Sequence, residues 1–176
     1  MNALLHIKRG LDWALELLVI VVFGILVVAV LWQVAARFIL GDPSDWTEEL
    51  ATFLMIWVGL LGACVALRRK AHLGIDYLVS KLSVRNRAYT DILTYFIVAA
   101  FSASVLMYGG GAVVRLVWTT GQVSPALGLR MAYVYLALPV SGFFLTLYSL
   151  ALAYEAFLGM RGETQVAEAE MERVIE

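Results

Sequence analysis

The sequence contains a group of carboxylates around Trp46: Asp42, Asp45, Glu48 and Glu49. Carboxylates just before an apolar run can do two kinds of work. Asp45, followed three positions later by Glu48, is typical of a capping pair that accepts hydrogen bonds from the free amides at a helix start. Alternatively, carboxylates on an exposed loop can steer a basic surface of a partner. Asp42 and Glu49 lie outside the capping pair, so steering is expected to show most clearly there.

The groups that membrane enzymes and pumps need are missing from the apolar parts of the sequence. His6 and His72 lie outside the long apolar runs, so no pair of histidines is placed to hold a haem. Cys64 is the single cysteine, which excludes a disulfide within the chain. Ion and proton pathways place charged groups inside the membrane, and the runs 17–36, 50–67, 92–114 and 131–154 contain no Asp, Glu, Lys, Arg or His. We therefore predict no enzyme activity, no cofactor and no metal site in this chain.

The composition indicates a small integral membrane protein. Of its 176 residues, 62% are hydrophobic and 15% are charged, and the mean hydropathy is +0.84. A soluble domain averages about 45–50% apolar and about 25% charged residues. The formal net charge of −1 does not favour nucleic acid as a partner.

Four apolar runs are long enough to cross a bilayer as helices, at about residues 15–36, 50–67, 92–114 and 131–155. We interpret the first run as an uncleaved signal anchor, because it exceeds the apolar core of a signal peptide. The fold class predicted is therefore all-α, with four transmembrane helices in a domain over residues 1–158. Residues 159–176 form an acidic tail, predicted to be a frayed helix or disordered.

The distribution of basic residues predicts the orientation, because Lys and Arg accumulate on the cytoplasmic side. The predicted outer connections contain Arg37, Arg115 and Arg130. The termini and the middle connection contain the others: Lys8, Arg9, Arg68, Arg69, Lys70, Lys81, Arg85, Arg87, Arg161 and Arg173. Both termini and the middle connection are therefore predicted to be cytoplasmic, in the inner membrane of a bacterial or archaeal cell.

The middle connection has the pattern of an amphipathic helix. Its apolar residues Ile75, Leu78, Val79 and Leu82 recur at helical spacing. We interpret it as a helix in the inner membrane interface, where basic side chains contact anionic lipid headgroups; a short soluble helix that caps the bundle is the alternative. The predicted lipid contacts are Arg68, Arg69, Lys70, Lys81, Arg85 and Arg87.

Small residues mark possible sites of close helix packing. In the second helix, Gly59 with Ala63 and Gly62 with Ala66 are spaced four apart, which lets two helices approach closely. These pairs either close the bundle or dock a partner subunit. The third helix offers a run of glycines at 109–111, and Pro139 is expected to break the hydrogen bonding of the fourth, with Ser141 as partial relief. The second outer connection, 118–130, is unusually apolar, so it is expected to be re-entrant or covered.

The order of several short segments resembles the small membrane subunit of tripartite ATP-independent periplasmic (TRAP) transporters. The similarity runs from Leu17 to Leu158. It is carried by these segments: WTEEL at 46–50, Gly62–Ala63, LRRKAHLGID at 67–76, SPALG at 124–128 and YLALP at 135–139.

This resemblance implies a subunit of a three-part importer of organic acids. Its partners would be a large membrane subunit, which carries the solute by an elevator motion with sodium, and a periplasmic substrate-binding protein. This chain would enlarge the fixed scaffold and help to receive the binding protein. From their charge and their predicted outer position, we take the candidate contact residues to be Asp42, Asp45, Trp46, Glu48 and Glu49. The sodium would bind the large subunit. A structural or assembly subunit of another membrane complex, without transport activity, is the alternative.

The predicted orientation can be measured by labelling single cysteines in intact cells. We expect Gln122→Cys to react with an impermeant thiol reagent added outside, and Ser83→Cys to react only after the membrane is opened. Labelling of Ser83→Cys, but not of Gln122→Cys, in intact cells would reverse the orientation.

Overall fold

A computed structural model of the chain describes the backbone of residues 2–42, 44–69 and 84–175 and the side chains of residues 10–42, 44–69 and 89–159. The predicted amphipathic segment with Ile75 and Lys81 lies outside these ranges. The side chains of Arg85 and Arg87 lie outside them too, so their predicted lipid contacts stay predictions.

The described chain is helical almost throughout. The helices are α1 (Asn2–Ala35), α2 (Asp45–Arg68), α3 (Val84–Phe101), α4 (Gly110–Thr120), α5 (Met131–Tyr135) and α6 (Ala137–Ile175). A π-helical segment, Ala36–Leu40, extends α1, and a second, Ser102–Gly109, joins α3 to α4. The one bridge between extended residues in the described ranges pairs Val123 with Arg130. Helix α6 passes the predicted domain boundary at residue 158 without interruption.

In the part of the chain that the structure describes, four helical stretches are long and apolar enough to cross a membrane, which confirms the predicted number. Span one is Gly10–Leu40, span two Asp45–Arg68, span three Tyr89–Thr120 and span four Met131–Gly159. All four are longer than predicted. The prediction counted charge-free runs, whereas the helices continue through charged residues near their ends, where long side chains can reach water.

Span four lies at the centre of the bundle. Span one packs along span two, span two packs along span four, and span four packs along span three. In the most apolar stretch of span four, 33% of the stretch is buried within the protein, whereas the corresponding share for span one is 11%. The buried core joins Leu15 of span one with Leu61 and Cys64 of span two, and with Tyr148 and Leu152 of span four.

Two glycines allow spans three and four to approach closely. A Cβ atom on Gly142 would lie 2.7 Å from the backbone nitrogen of Met107, and one on Gly110 would lie 2.6 Å from the Cβ of Leu138. Both distances are too short for a real side chain. Small residues that permit backbone contact are the usual basis of helix packing in membranes. Gly110 belongs to the run of glycines at 109–111, which the sequence marked as a possible site of close packing. Gly142 was not among the residues expected to pack closely.

Pro139 interrupts span four where the sequence predicts. Proline has no N–H to donate to the carbonyl four residues earlier, which is that of Tyr135. Helix α5 ends at Tyr135, and α6 begins at Ala137. The relief expected from Ser141 takes another form, because its hydroxyl donates to the carbonyl of Leu138 at 3.0 Å and not to that of Tyr135.

The glycine contacts predict different effects of alanine at two adjacent positions. Gly110→Ala should lower the free energy of unfolding by about 1–3 kcal/mol, because the added methyl group forces spans three and four apart. Gly111→Ala is the matched control, since no described atom lies within 4 Å of its Cβ position. The control should be neutral, or stabilise by up to about 1 kcal/mol through helix propensity. Denaturant titration in detergent measures both, and equal effects would contradict the close contact.

Candidate functional site

The two-loop end of the bundle carries the connections at 41–44 and 121–130, and most of the side chains singled out in the sequence lie there. Helix α2 begins at Asp45 with Ser44 as its N-cap residue, and the Ser44 side chain makes no capping hydrogen bond. Thr47 donates its hydroxyl proton to the carbonyl of Ser44 at 2.8 Å. The predicted cap by Asp45 is therefore wrong, because Asp45 is already inside the first turn. Its charge is still favourable beside the free amides there.

The connection at 121–130 is a compact loop that hydrogen-bonds to itself. The amide of Ser124 donates to the carbonyl of Leu129 at 2.8 Å, and the amide of Gly128 donates to the carbonyl of Ser124 at 3.0 Å. The buried Ser124 hydroxyl accepts the amide of Leu129 at 3.2 Å. Gly128 has a φ of 64°, which a side chain would disfavour. The segment expected from the sequence to be re-entrant or covered is thus a closed turn, and most of its residues are exposed in this structure.

The carboxylate of Glu49 joins this loop to helix α2. Its Oε2 atom accepts hydrogen bonds from the amides of Ala126 at 3.0 Å and Leu127 at 2.8 Å. Charge-assisted hydrogen bonds of this kind are stronger than those between neutral groups. Glu49 is therefore engaged with the protein itself and is not the free surface charge that the sequence predicts.

Two carboxylates of the acidic segment, by which we mean Trp46 with Asp42, Asp45, Glu48 and Glu49, line an open cleft between spans one and two. The cleft has a volume of about 710 Å³. Its walls include Trp32 of span one, Asp42, Asp45 and Trp46 of the acidic segment, and Ala126 of the compact loop. A neighbouring groove is lined by Asp45, Glu48, Glu49, Pro125 and Ala126. Every ionisable residue that lines the two depressions is a carboxylate, so their chemistry suits a cationic group.

At the two-loop end, aromatic and basic side chains also meet beside the start of span four. The guanidinium of Arg130 lies over the Trp118 ring, 5.2 Å from its centroid. Trp118 also meets Tyr133 edge to face, with ring centroids 6.0 Å apart. These contacts fix the point where the compact loop enters span four.

An ion-pair network closes the opposite end of the bundle, which we call the arginine end. Arg68 contacts Asp12 at 3.3 Å and Glu16 at 2.7 Å, and Arg69 contacts Glu16 at 3.0 Å. The hydroxyl of Tyr148 donates to Asp12 at 2.7 Å, which brings span four into the network. The sequence assigned both arginines to lipid headgroups, and the structure gives them carboxylate partners within the protein.

The small-residue faces of α2 remain open. Gly59 and Ala63 are exposed, and outside the adjoining turns of α2 no described atom lies within 4 Å of a Cβ built on Gly59 or Gly62. Gly62 and Ala66 are half-buried. Of the two alternatives for the Gly59–Ala63 pair, closure of the bundle therefore has no support in the described part of the chain, and contact with a partner or with lipid stays open. Within the same ranges, no three His, Cys, Asp or Glu residues are grouped to hold a metal ion.

Comparison with known proteins links this architecture to one transporter family. Residues 26–159 match the family model of the DctQ component of tripartite ATP-independent periplasmic transporters. The chain is 28% identical over 140 residues to the sialic acid TRAP transporter small permease protein SiaQ of Vibrio cholerae, covering 77% of this chain and 76% of that protein. It is 29% identical over 114 residues to the C4-dicarboxylate TRAP transporter small permease protein DctQ of Rhodobacter capsulatus, covering 65% and 50%.

A longer relative contains a similar segment. The isethionate TRAP transporter permease protein DctMQ of Oleidesulfovibrio alaskensis is 33% identical over 96 residues, which are 54% of this chain but 15% of that protein.

The network at the arginine end predicts unequal roles for adjacent arginines. Arg68→Gln should lower the free energy of unfolding by about 1.5–3 kcal/mol, because it leaves Asp12 and Glu16 without their partly buried partner. The side chain of Arg69 is 62% exposed, against 26% for Arg68. Arg69→Gln should therefore cost no more than about 1 kcal/mol. Denaturant titration in detergent compares the two, and an equal loss would contradict the central place of Arg68.

Proposed function

Because the chain belongs to the DctQ family of TRAP transporters, the small permease subunits, we propose that it is the fixed scaffold subunit of a sodium-coupled importer of an organic acid. The observation that carries the proposal is the family match over residues 26–159, which reaches into all four spans. The solutes named for the relatives, sialic acid, C4-dicarboxylate and isethionate, are all organic acids.

The moving part of this transporter is the large membrane subunit. A relative whose name joins both permease components contains a segment like this chain within one polypeptide, which supports a permanent association of the two. In our proposal the large subunit binds the solute and the sodium, and this chain provides a surface against which it moves. The spans of this chain are long and pack directly against one another, which suits a subunit that stays fixed.

We assign the exposed face of α2 to the large subunit. Along this face Thr52, Met55, Gly59 and Ala63 are exposed, so a partner helix could approach the backbone in the middle of the membrane. Span one differs, because its exposed side chains are mostly large and aliphatic, as expected of a surface that meets lipid tails.

The two-loop end is assigned to the periplasm, in accordance with the distribution of basic residues. This orientation places the acidic cleft where a periplasmic substrate-binding protein arrives. Asp42, Asp45 and Glu48 are exposed there and can steer basic side chains of that protein. Trp32 and Trp46 in the same cleft can contact cations through their ring faces. The arginine end then faces the cytoplasm and the anionic lipids of the inner leaflet.

The scaffold role predicts that Gly59→Leu separates the subunits without unfolding this one. The space at Gly59 is open within the chain, so the variant should insert and accumulate normally while the large subunit no longer co-purifies. Gly24→Leu is the matched control, because Gly24 is equally open but lies on span one.

Transport completes this test. The reconstituted wild-type complex with its binding protein should take up one of sialic acid, a C4-dicarboxylate or isethionate under a sodium gradient, and the Gly59→Leu preparation should not. Uptake by this chain without the large subunit would overturn the scaffold role. Loss of co-purification with Gly24→Leu alone would move the docking face to span one.

A further inference from the structure

We infer that Glu49 is a positioning residue that holds the compact loop against the start of helix α2, so that the two form one docking surface for the binding protein. The inference rests on the proposed function, because it concerns the same periplasmic partner. It assigns Glu49 a role distinct from that of its acidic neighbours: Glu49 fixes the shape of the surface, whereas Asp42, Asp45 and Glu48 supply its charge.

The hydrogen bonds at the tip of the compact loop carry this inference. The amides of Ala126 and Leu127 both donate to the same oxygen, Oε2 of Glu49. The described backbone hydrogen bonds of the loop elsewhere stay within residues 118–133. Glu49 belongs to helix α2, so its carboxylate ties the loop tip to a rigid element nearly eighty positions earlier in the chain.

The tip matters because both acidic depressions include it. Ala126 lines the cleft beside Trp46 and Asp45, and it also lines the groove beside Glu48. If the tip leaves Glu49, one wall of each depression is lost although every acidic side chain remains. A partner would then bind only the fraction of molecules whose loop is in place. Its apparent affinity would be the intrinsic affinity multiplied by that fraction.

A steering role and a positioning role predict different effects of three substitutions. Glu49→Ala removes both the charge and the acceptor. Glu49→Gln removes the charge but keeps a side-chain carbonyl oxygen that can accept both amides. Glu48→Ala removes an equal charge from the next residue, for which the structure shows no side-chain hydrogen bond to the compact loop. A steering role predicts that all three substitutions weaken the binding of the periplasmic protein to a similar extent. A positioning role predicts a large loss of affinity for Glu49→Ala alone.

The experiment measures binding of the purified periplasmic binding protein to the intact two-subunit permease in lipid nanodiscs at low salt. We expect Glu49→Ala to raise the dissociation constant about tenfold, while Glu49→Gln and Glu48→Ala change it by less than about threefold. Hydrogen exchange of the complex without the binding protein provides the structural readout. Amides in peptides that cover residues 124–129 should exchange faster in Glu49→Ala than in the other two variants.

Each outcome has a defined meaning. Faster exchange in Glu49→Ala with unchanged affinity would overturn the positioning role and leave the scaffold function intact. Equal losses of affinity in the three variants would replace positioning by charge steering. If Glu49→Ala does not accumulate, Ser124→Ala loosens the same loop from within and should weaken binding in the same way. Failure of the wild-type complex to bind its binding protein at all would instead contradict the proposed function.

Discussion

The architecture depends on the close approach of spans three and four. Lipid tails are as apolar as leucine side chains, so helices in a membrane gain little from burying apolar surface and need direct backbone contact instead. Gly142 and Gly110 provide that contact against Met107 and Leu138. Span four is thereby fixed at the centre of the bundle, where it also packs along span two and sends the hydroxyl of Tyr148 to Asp12 of span one.

Each end of this apolar bundle is fastened by a small set of charged groups. At the two-loop end one carboxylate, that of Glu49, holds the loop that leads into span four. At the arginine end Arg68 joins the first two spans through Asp12 and Glu16. These interactions connect elements that are far apart in the chain. They suit the proposed role of a scaffold that keeps its shape.

The sequence alone was sufficient for the features that follow from local composition. The four spans follow from their apolar length, and the break before Ala137 follows from the missing N–H of Pro139. Features that depend on contacts with residues far away in the chain could not be predicted from local composition. Gly110 and Gly59 look equivalent as small residues in apolar helices, yet one contacts a neighbouring span and the other is open. Glu48 and Glu49 are identical in type and adjacent, and only the position of the compact loop separates their roles.

The paired arginines have a consequence for how the two sides of the membrane are distinguished. While a chain is being inserted, Arg68 and Arg69 act as free positive charges, and acidic residues have little influence on that choice. After folding, Asp12 and Glu16 neutralise both of them. The insertion machinery and the surrounding lipids therefore encounter different electrostatic surfaces of one protein. In the proposed orientation, the two charges that favour the cytoplasmic side during insertion are afterwards paired with carboxylates, and Arg69, which stays 62% exposed, is the one of the two that still faces the surroundings.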